Sequence, residues 1–263
     1  MKLKKITDYI NKYLEIETFS DASANGLQVE NSGKVNKVGL AVDASLEIIE
    51  KAAAVKCGLL IVHHGLFWGK QNLLTDNHYK RVKALISGDI ALYAAHLPLD
   101  AHPKIGNNAQ IAKKIGLHNL EPFALYNGKN IGMKGKFKKK QTLENTIANF
   151  EKQIGVCNNI LNFGPEEISS VGVVSGSATD IELFKEVKNL GIDILISGEP
   201  KYEAYYLAQE IGLNIFYGGH YMTETFGIKA LGKVLQEKMD INTVFFDIKC
   251  TLLKVKGDSH GTV

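Results

Sequence analysis

Short, predominantly apolar runs, separated by stretches long enough to form a helix, restrict the fold of this sequence more than any other feature. The runs lie at residues 38–42, 59–62, 90–94, 171–174, 194–196, 215–217 and 244–248. Runs of this length are typical of strands covered on both faces. Between them, apolar residues recur at helical spacing in the segments 45–56, 180–190, 204–210 and 223–238. The alternation predicts an α/β fold with three layers, in which helices cover both faces of a sheet.

The sequence also contains an internal repeat. A strand, a helix and a second strand at residues 38–64 resemble the segment 171–199, and in each copy a later strand is followed by a histidine and then by an acid four residues on. These pairs are His96 with Asp100 and His220 with Glu224. We therefore expect two similar, interlocked α/β lobes, residues 1–125 and 126–263, facing each other across a cleft. Ligands of α/β proteins bind outside the carboxyl ends of the strands, so these residues would line that cleft.

The segment 122–144 interrupts the repeat. It contains the turn signal Asn127-Gly128 and a run of lysines, which are Lys134, Lys136, Lys138, Lys139 and Lys140. We interpret the segment as a hairpin or connector between the lobes. The lysines are interpreted as a solvated strand edge that discourages aggregation, with binding of a polyanion as the alternative.

Composition excludes several classes of protein. With 45% hydrophobic and 22% charged residues, a chain of 263 residues can bury a substantial core and is not expected to be disordered. Its 31 Lys and Arg against 28 Asp and Glu give a net charge of +3, which is too small to indicate nucleic acid as a partner. No apolar run approaches the roughly 18–20 residues of a membrane span, and the charged first residues do not form a secretory signal. We therefore expect a cytoplasmic protein with no membrane contact.

The cysteines and the end of the chain carry less information. Cys57, Cys157 and Cys250 lie far apart and in no CxxC spacing, which predicts reduced thiols and no thiolate metal site. The polar segment 257–263 is expected to be loose, and no function is assigned to it.

Histidines at predicted strand ends are the strongest chemical signal in the chain. His63 and His64 follow one buried strand directly, and the two histidine–acid pairs of the repeat follow two others. At a strand end the backbone turns, so both rings of the His-His pair can reach one site. Imidazole and carboxylate suit divalent Zn, Mn, Fe, Co or Ni. The resulting six candidate ligands are too many for one tetrahedral ion and fit two ions bridged by a carboxylate.

Other features have competing interpretations. The segment 175–180 could receive a phosphate, but Ser177 or Thr179 is interpreted as an ordinary helix cap. A tryptophan in such a position more often belongs to the core or an interface than stacks on a planar ligand, so Trp68 is interpreted as a core or interface residue. Glu199, Tyr202 and Glu203 follow a strand and are expected to line the cleft behind the ligands. The remaining histidines are interpreted as hydrogen-bonded core or surface residues, and these are His78, His102, His118 and His260.

Taken together, these motifs resemble the NIF-three-like family, whose members are called GTP cyclohydrolase 1 type 2 homologs, in its short bacterial form. The matching segments run in order across nearly the whole chain, at residues 25–29, 60–68, 96–103, 106–109, 196–199 and 218–224. The resemblance implies two similar α/β lobes, a centre with two divalent metal ions and a ring-shaped homohexamer.

The resemblance also implies roles for individual residues. The family's metal ligands fall on His63, His64, Asp100, His220 and Glu224, with Glu224 as the natural bridging carboxylate. His96 matches a motif position beside the metals and is the candidate catalytic proton carrier. The sequence departs from the family at Lys201-Tyr202-Glu203, where many members have a histidine.

The implied reaction is metal-dependent hydrolysis, with the family name pointing to GTP, opening of its imidazole ring and release of formate. A hydrolase of another nucleotide or of a phosphoester is the first alternative. A non-catalytic metal-binding protein that interacts with partners or nucleic acid is the second.

Overall fold

Two β-sheets, each with helices on both faces, form the computed structural model, which describes residues 1–70, 73–155, 159–178 and 180–248. The strands are β1 (Gly26–Val29), β2 (Lys37–Asp43), β3 (Leu59–His64), β4 (Ala91–Ala94), β5 (His118–Tyr126), β6 (Lys129–Thr142), β7 (Asn159–Asn162), β8 (Glu167–Val173), β9 (Ile194–Ser197), β10 (Asn214–Tyr217) and β11 (Asn242–Phe245). The helices are α1 (Leu3–Leu14), α2 (Leu46–Ala54), α3 (Asp76–Ser87), α4 (Leu97–Asp100), α5 (Asn107–Lys114), α6 (Leu143–Gln153), α7 (Ile181–Asn189), α8 (Tyr202–Ile211) and α9 (His220–Met239), with a 3-10 turn at Ile16–Thr18.

The two sheets share one core arrangement. The first has the strand order β1-β4-β3-β2-β11 and the second has the order β5-β6-β8-β9-β10-β7. In the first, β2, β3 and β4 are parallel and an antiparallel β1 lies beside β4. In the second, β8, β9 and β10 are parallel and an antiparallel β7 lies beside β10. The predicted fold class, two similar α/β lobes related by an internal repeat, is confirmed.

Strand β3 shows why its sequence is apolar at consecutive positions. Leu59 and Ile61 pack with α1 and α9 on one face of the first sheet, and Leu60 and Val62 pack with α2 and α3 on the other. All four side chains are fully buried, because neighbouring strand residues point to opposite faces and both faces are covered.

The helices covering the sheets begin at polar caps. The Ser45 hydroxyl accepts from the Ile48 backbone N–H at 3.2 Å at the start of α2. At the start of α7 the carboxylate of Asp180 accepts from the Leu183 N–H at 2.8 Å. Asp180 is therefore the cap of α7, and the prediction of a cap at Ser177 is wrong; the alternative, Thr179, lies outside the described residues.

The lysine-rich segment forms part of a long hairpin. Strands β5 and β6 pair on either side of Asn127 and Gly128, both with positive φ, as a two-residue hairpin turn requires. The hairpin is the start of the second sheet, so it is more than a connector. Lys134 and Lys136 pair with both β5 and β8, and Lys134 forms an ion pair with Glu121. For these two lysines the prediction of a strand edge is wrong, because β8 pairs with the far side of β6.

The division of the chain at residue 125 stays a prediction. Strand β5 belongs to the second sheet, and the late strand β11 pairs with β2 in the first. Cys157, Thr179, Cys250, His260 and the segment 257–263 lie outside the described residues. Across the part of the chain that the structure describes, no helix combines the length and apolarity needed to cross a lipid bilayer.

Candidate metal centre

The predicted ligands come from the carboxyl ends of three parallel strands. His63 and His64 end β3, and Asp100 ends the short helix α4, which follows β4. His220 begins α9 immediately after β10, and Glu224 lies one turn further along that helix. His220 and Glu224 therefore lie at i and i+4 on one face of a helix.

Glu224 lies at the centre of this group. Its Oε1 is 3.1 Å from His220 Nε2 and 3.5 Å from His63 Nε2, and its Oε2 is 3.2 Å from His64 Nε2. His63 Nε2 is also 3.4 Å from Asp100 Oδ2. The five residues predicted from the family resemblance therefore surround one point in the protein.

Burial makes this cluster electrostatically unusual. The His63 side chain is fully buried and the Glu224 side chain is 3% exposed. Burial raises the pKa of Glu224, but His63, His220 and His64 outweigh that effect and hold it well below its usual range. Burial lowers the pKa of His220, while Glu224 and Glu199 raise it, to about 9. Each carboxylate is thus stabilised as an anion by the positive charge that surrounds it.

Each predicted histidine ligand has an acceptor behind its ring. His63 Nδ1 lies 2.8 Å from the Ala95 carbonyl oxygen, and His64 Nδ1 lies 2.8 Å from Asp43 Oδ1. His220 Nδ1 lies 3.2 Å from Glu199 Oε2. We assign the hydrogen to Nδ1 in all three rings, because only then can the ring donate to these oxygens. Nε2 of each ring faces Glu224, and on metal binding it would give up its proton and become the ligand atom, as in histidines that bind metals.

The residues fit a metal ion. His63 Nε2 and Glu224 Oε2 are fully buried and have no hydrogen-bond partner among the described residues. The donor atoms of His64, His220 and Glu224 lie within 4.8 Å of one another, and the same holds for His63, His64 and His96. Unpaired polar atoms are rare in protein interiors, so a cation bound between them would supply the missing partner. These His and Glu groups could therefore bind a metal ion.

Glycine 176 makes room for the central carboxylate. Its φ is +67°, and an added Cβ would overlap Glu224 Oε1 and lie 3.3 Å from His220 Nε2. Both the conformation and the close approach favour glycine.

Asp100 is held by Asn107 of α5 and by Ser175, which follows β8. Its Oδ1 accepts from Asn107 Nδ2 at 2.8 Å and from the Ser175 hydroxyl at 2.9 Å. The segment 175–180 thus supports a predicted ligand through Ser175. The other oxygen, Oδ2, faces His63.

Two acids of the site were not singled out by sequence. Asp21, in the loop before β1, accepts from His96 Nδ1 at 2.9 Å and follows no repeat or motif that could have indicated it. Burial raises the pKa of Asp21, but hydrogen bonds from His96 and Asn25 outweigh that effect and lower it to about 2. Asp43 pairs in register with His64 at the end of the neighbouring strand. If polar residues at the end of β2 had been considered in the same way as those at the ends of the other strands, Asp43 would have been indicated.

The cluster forms one end of a cleft of about 480 Å³. Trp68, Asp21 and His96 form part of its wall, and the Trp68 and His96 rings lie 4.8 Å apart. Apolar side chains, which include Leu125 and Leu183, form another part, and Lys201 is the one lysine or arginine among the described lining residues. Glu199 lies behind His220 as expected, whereas Tyr202 is 78% exposed and does not line this cleft.

Comparison with known proteins finds relatives along the whole length of the chain. A protein of Archaeoglobus fulgidus called GTP cyclohydrolase 1 type 2 homolog is 41% identical, over 96% of this chain and 100% of the relative. The crystal structure of TTHA1606 from Thermus thermophilus is similar, with 38% identity, a TM-score of 0.84 and coverage of 96% of this chain and 100% of that one. The structural-genomics protein ybgI, described as of unknown function, has 32% identity and a TM-score of 0.88 over 95% of this chain and 99% of its own.

The family model described as Duf34/NIF3 (NGG1p interacting factor 3) matches residues 1–251. Because this match spans nearly the whole chain, and the relatives agree with it at 41% identity and below, the resemblance inferred from the motifs is confirmed. The chain belongs to the Duf34/NIF3 family.

Proposed function

We propose that this chain is a hydrolase that depends on two divalent cations. His63, His64, Asp100, His220 and Glu224 would hold them, and Glu224 would bridge them. The observation that carries the proposal is the position of the Glu224 carboxylate, whose two oxygens face different histidine Nε2 atoms. A buried carboxylate between three imidazoles suits a bridge between divalent ions of the Zn, Mn, Fe, Co or Ni type.

When bound, such a pair of ions lowers the pKa of water and polarises the bond to be cleaved. The chain's own residues do the remaining work. The acceptors behind His63, His64 and His220 fix the orientation of the three rings. His96 faces the cleft beside this cluster, where its Nε2 can take a proton from water and return it to a leaving nitrogen.

GTP ring opening with formate release is the reaction that we propose, because the relatives are called GTP cyclohydrolase 1 type 2 homologs. One water adds to the carbon between the two imidazole nitrogens, and a carbon–nitrogen bond breaks to leave a formamide. A second water cleaves the formamide to formate and an amine. The two waters account for all the atoms added, and each proton taken from water ends on a released nitrogen or on formate.

Metal content and turnover test this proposal separately. Element analysis of the purified protein is expected to give two equivalents of a divalent metal per chain. The metal-loaded protein incubated with GTP should release formate. The diaminopyrimidine that remains becomes a dihydroneopterin only if its ribose rearranges and closes a new ring with loss of one water, so this product is sought alongside formate. The matched variants are a His63→Ala, Asp100→Ala double variant, which should be inactive, and His118→Gln, at an exposed histidine of β5 that does not line the cleft. Turnover of GTP no faster than that of the double variant would remove the cyclohydrolase assignment.

A substrate panel addresses the first alternative. If the loaded protein leaves GTP intact but cleaves another nucleotide or a simple phosphodiester, the two-cation proposal stands and only the substrate changes. Lys201 is the one lysine or arginine that lines the described cleft, so this wall offers a triphosphate few cations besides the proposed metals.

A second candidate is a metal-binding interaction protein without turnover. The family description names an interacting factor, and α8 exposes the aromatic side chains of Tyr202, Tyr205 and Tyr206.

We further propose a homohexamer, with a mass near six times the 28.9 kDa of one chain. Light scattering on the wild type and on a variant with the three tyrosines changed to serine tests the hexamer and the part that these tyrosines play in it. A hexamer that the variant loses would place the tyrosines between copies of this chain. A wild-type monomer would contradict the hexamer.

A further inference from the structure

His96 is held by a carboxylate that belongs to no predicted motif. Asp21 lies in the loop between the 3-10 turn at Ile16–Thr18 and β1. His96 Nδ1 is 2.9 Å from Asp21 Oδ1 and 3.0 Å from Oδ2. The pair is separated by 75 residues in the sequence, so the fold and not the local chain brings it together.

Both carboxylate oxygens of Asp21 also accept hydrogen bonds from groups other than His96. Its Oδ1 also accepts from the Ser23 N–H at 3.1 Å, and its Oδ2 accepts from Asn25 Nδ2 at 2.7 Å and from the Leu97 N–H at 3.1 Å. The side chain is only 3% exposed. Burial of an ionised carboxylate is unfavourable unless it is fully hydrogen-bonded, and here donors from its own loop and from residues 96–97 meet that need.

Asn25 holds the backbone of the same histidine. Its Oδ1 accepts from the His96 N–H at 2.7 Å while its amide donates to Asp21. The ring and the main chain of His96 are therefore fixed by one hydrogen-bonded unit, which consists of Asp21 and Asn25.

We propose that Asp21 is a positioning residue that accepts the Nδ1 hydrogen of His96 and so keeps Nε2 unprotonated and directed at the cleft. The use of that lone pair for proton transfer rests on the proposed function, but the hydrogen-bonded arrangement does not. In the proton-transfer step His96 Nε2 takes a proton from water and later passes it to the departing nitrogen. Asp21 keeps its negative charge throughout.

Asp43 provides a matched comparison, because it accepts in the same way from His64, a proposed ligand. Loss of the acceptor behind a metal-bound histidine typically weakens metal binding by about 10- to 100-fold. We therefore expect Asp43→Asn to weaken metal binding. Asp21→Asn should keep two equivalents of metal and lower kcat by roughly 100-fold or more, the usual contribution of a proton-transfer group.

In Asp21→Asn the side-chain NH₂ group would have to face hydrogen-bond donors that the carboxylate now accepts from. Its NH₂ group must replace either Oδ1, which now accepts from His96 and Ser23, or Oδ2, which now accepts from Asn25 and Leu97 and also lies 3.0 Å from His96 Nδ1. An NH₂ group at the Oδ1 position would donate to His96 Nδ1 and move the ring hydrogen to Nε2.

Solid-state ¹⁵N NMR of metal-free protein labelled in histidine measures this hydrogen directly. A His96→Gln spectrum identifies the His96 signals, and the wild type should show Nδ1 protonated and Nε2 unprotonated. In Asp21→Asn the two nitrogens should exchange roles or become a mixture. Asp8→Asn, an exposed acid on α1, is the control that should change nothing.

Three results would overturn the proposal. These are a wild-type His96 protonated at Nε2, with or without a proton on Nδ1, an unchanged tautomer in Asp21→Asn, and loss of one metal equivalent in that variant, which would make His96 a ligand. The first measurement does not depend on Asp21→Asn, so it decides the matter even if that variant fails to fold. Absence of hydrolysis in the wild type would contradict the proposed function while leaving the NMR result intact.

Discussion

Substitution of alanine for glycine at position 176 is a direct test of how tightly the candidate centre is built. Gly176 has a φ of +67°, a conformation that is about 1–2 kcal/mol less favourable for a residue with a Cβ. The added Cβ would also overlap Glu224 Oε1. Ordinary carbon contacts are about 3.5–4 Å, so the carboxylate would have to retreat by roughly 1 Å. That displacement weakens its contacts with His63, His64 and His220.

Gly191 is the matched control. Its φ is +62°, but no atom lies within 4 Å of the position that its Cβ would take. Gly191→Ala should therefore show the conformational effect alone, about 1–2 kcal/mol in the free energy of unfolding. Gly176→Ala adds the displacement of a buried, hydrogen-bonded carboxylate, so we expect a total loss of about 3–5 kcal/mol.

Urea denaturation of the metal-free proteins measures both losses, and calorimetric titration with Zn²⁺ or Mn²⁺ measures the consequence for binding. Gly176→Ala should bind the metal at least tenfold more weakly than Gly191→Ala. Equal unfolding free energies and equal metal affinities in the two variants would show that residue 176 does not press against the carboxylate.

Three further outcomes are expected. Glu186→Gln should lower the unfolding free energy by about 1–2 kcal/mol in urea, because one of the N–H groups of Ala124 and Leu125 then loses its carboxylate acceptor; an unchanged value would contradict this. Burial raises the pKa of the Cys57 thiol to about 11, so the unfolded chain loses this proton at a lower pH than the folded chain does. The contribution of Cys57 to the free energy of unfolding should therefore fall as the pH rises from about 9 towards 11. Cys57→Ala should show a smaller fall by calorimetry over that range. Chelation of bound metal should lower the melting temperature of the wild type, and readdition should restore it, as a ligand specific to the folded state requires; no change on chelation would indicate that the folded protein binds no metal.

The sequence predicted the parts of the fold that follow from burial alone. Six of the seven apolar runs became buried strands because both of their faces are covered, as in β3. The run 244–248 only overlaps the end of β11, a half-buried strand at the sheet edge. The helix α9 begins at His220, earlier than the apolar spacing from Thr223 indicated, because Gly219 with a φ of +91° lets the chain turn directly from β10 into the helix. Periodicity contains no information about such a backbone turn.

The candidate site was predictable where the residues lie at strand ends and not elsewhere. His63 and Glu224 follow strands of the repeat, so local pattern and resemblance together indicated them. Asp21 and Glu199 differ, because each acts through contact with a histidine distant in the chain. Glu199 was indicated by the sequence because it follows a strand, whereas Asp21 does not. Asp21 became visible only when the fold placed its loop against β4.

Helix α9 determines how the two lobes meet at the centre. It begins at the end of β10 in the second sheet, but Ile228, Leu231 and Leu235 pack in the core of the first sheet. Gly232 allows this contact, since an added Cβ would overlap Leu40 of β2. The position of Glu224 is consequently set by both sheets, with β10 fixing the start of the helix and the first core fixing its direction. A shift of one sheet against the other would therefore separate Glu224 from His63 and His64, which ties the geometry of the cluster to the packing between the two halves of the repeat.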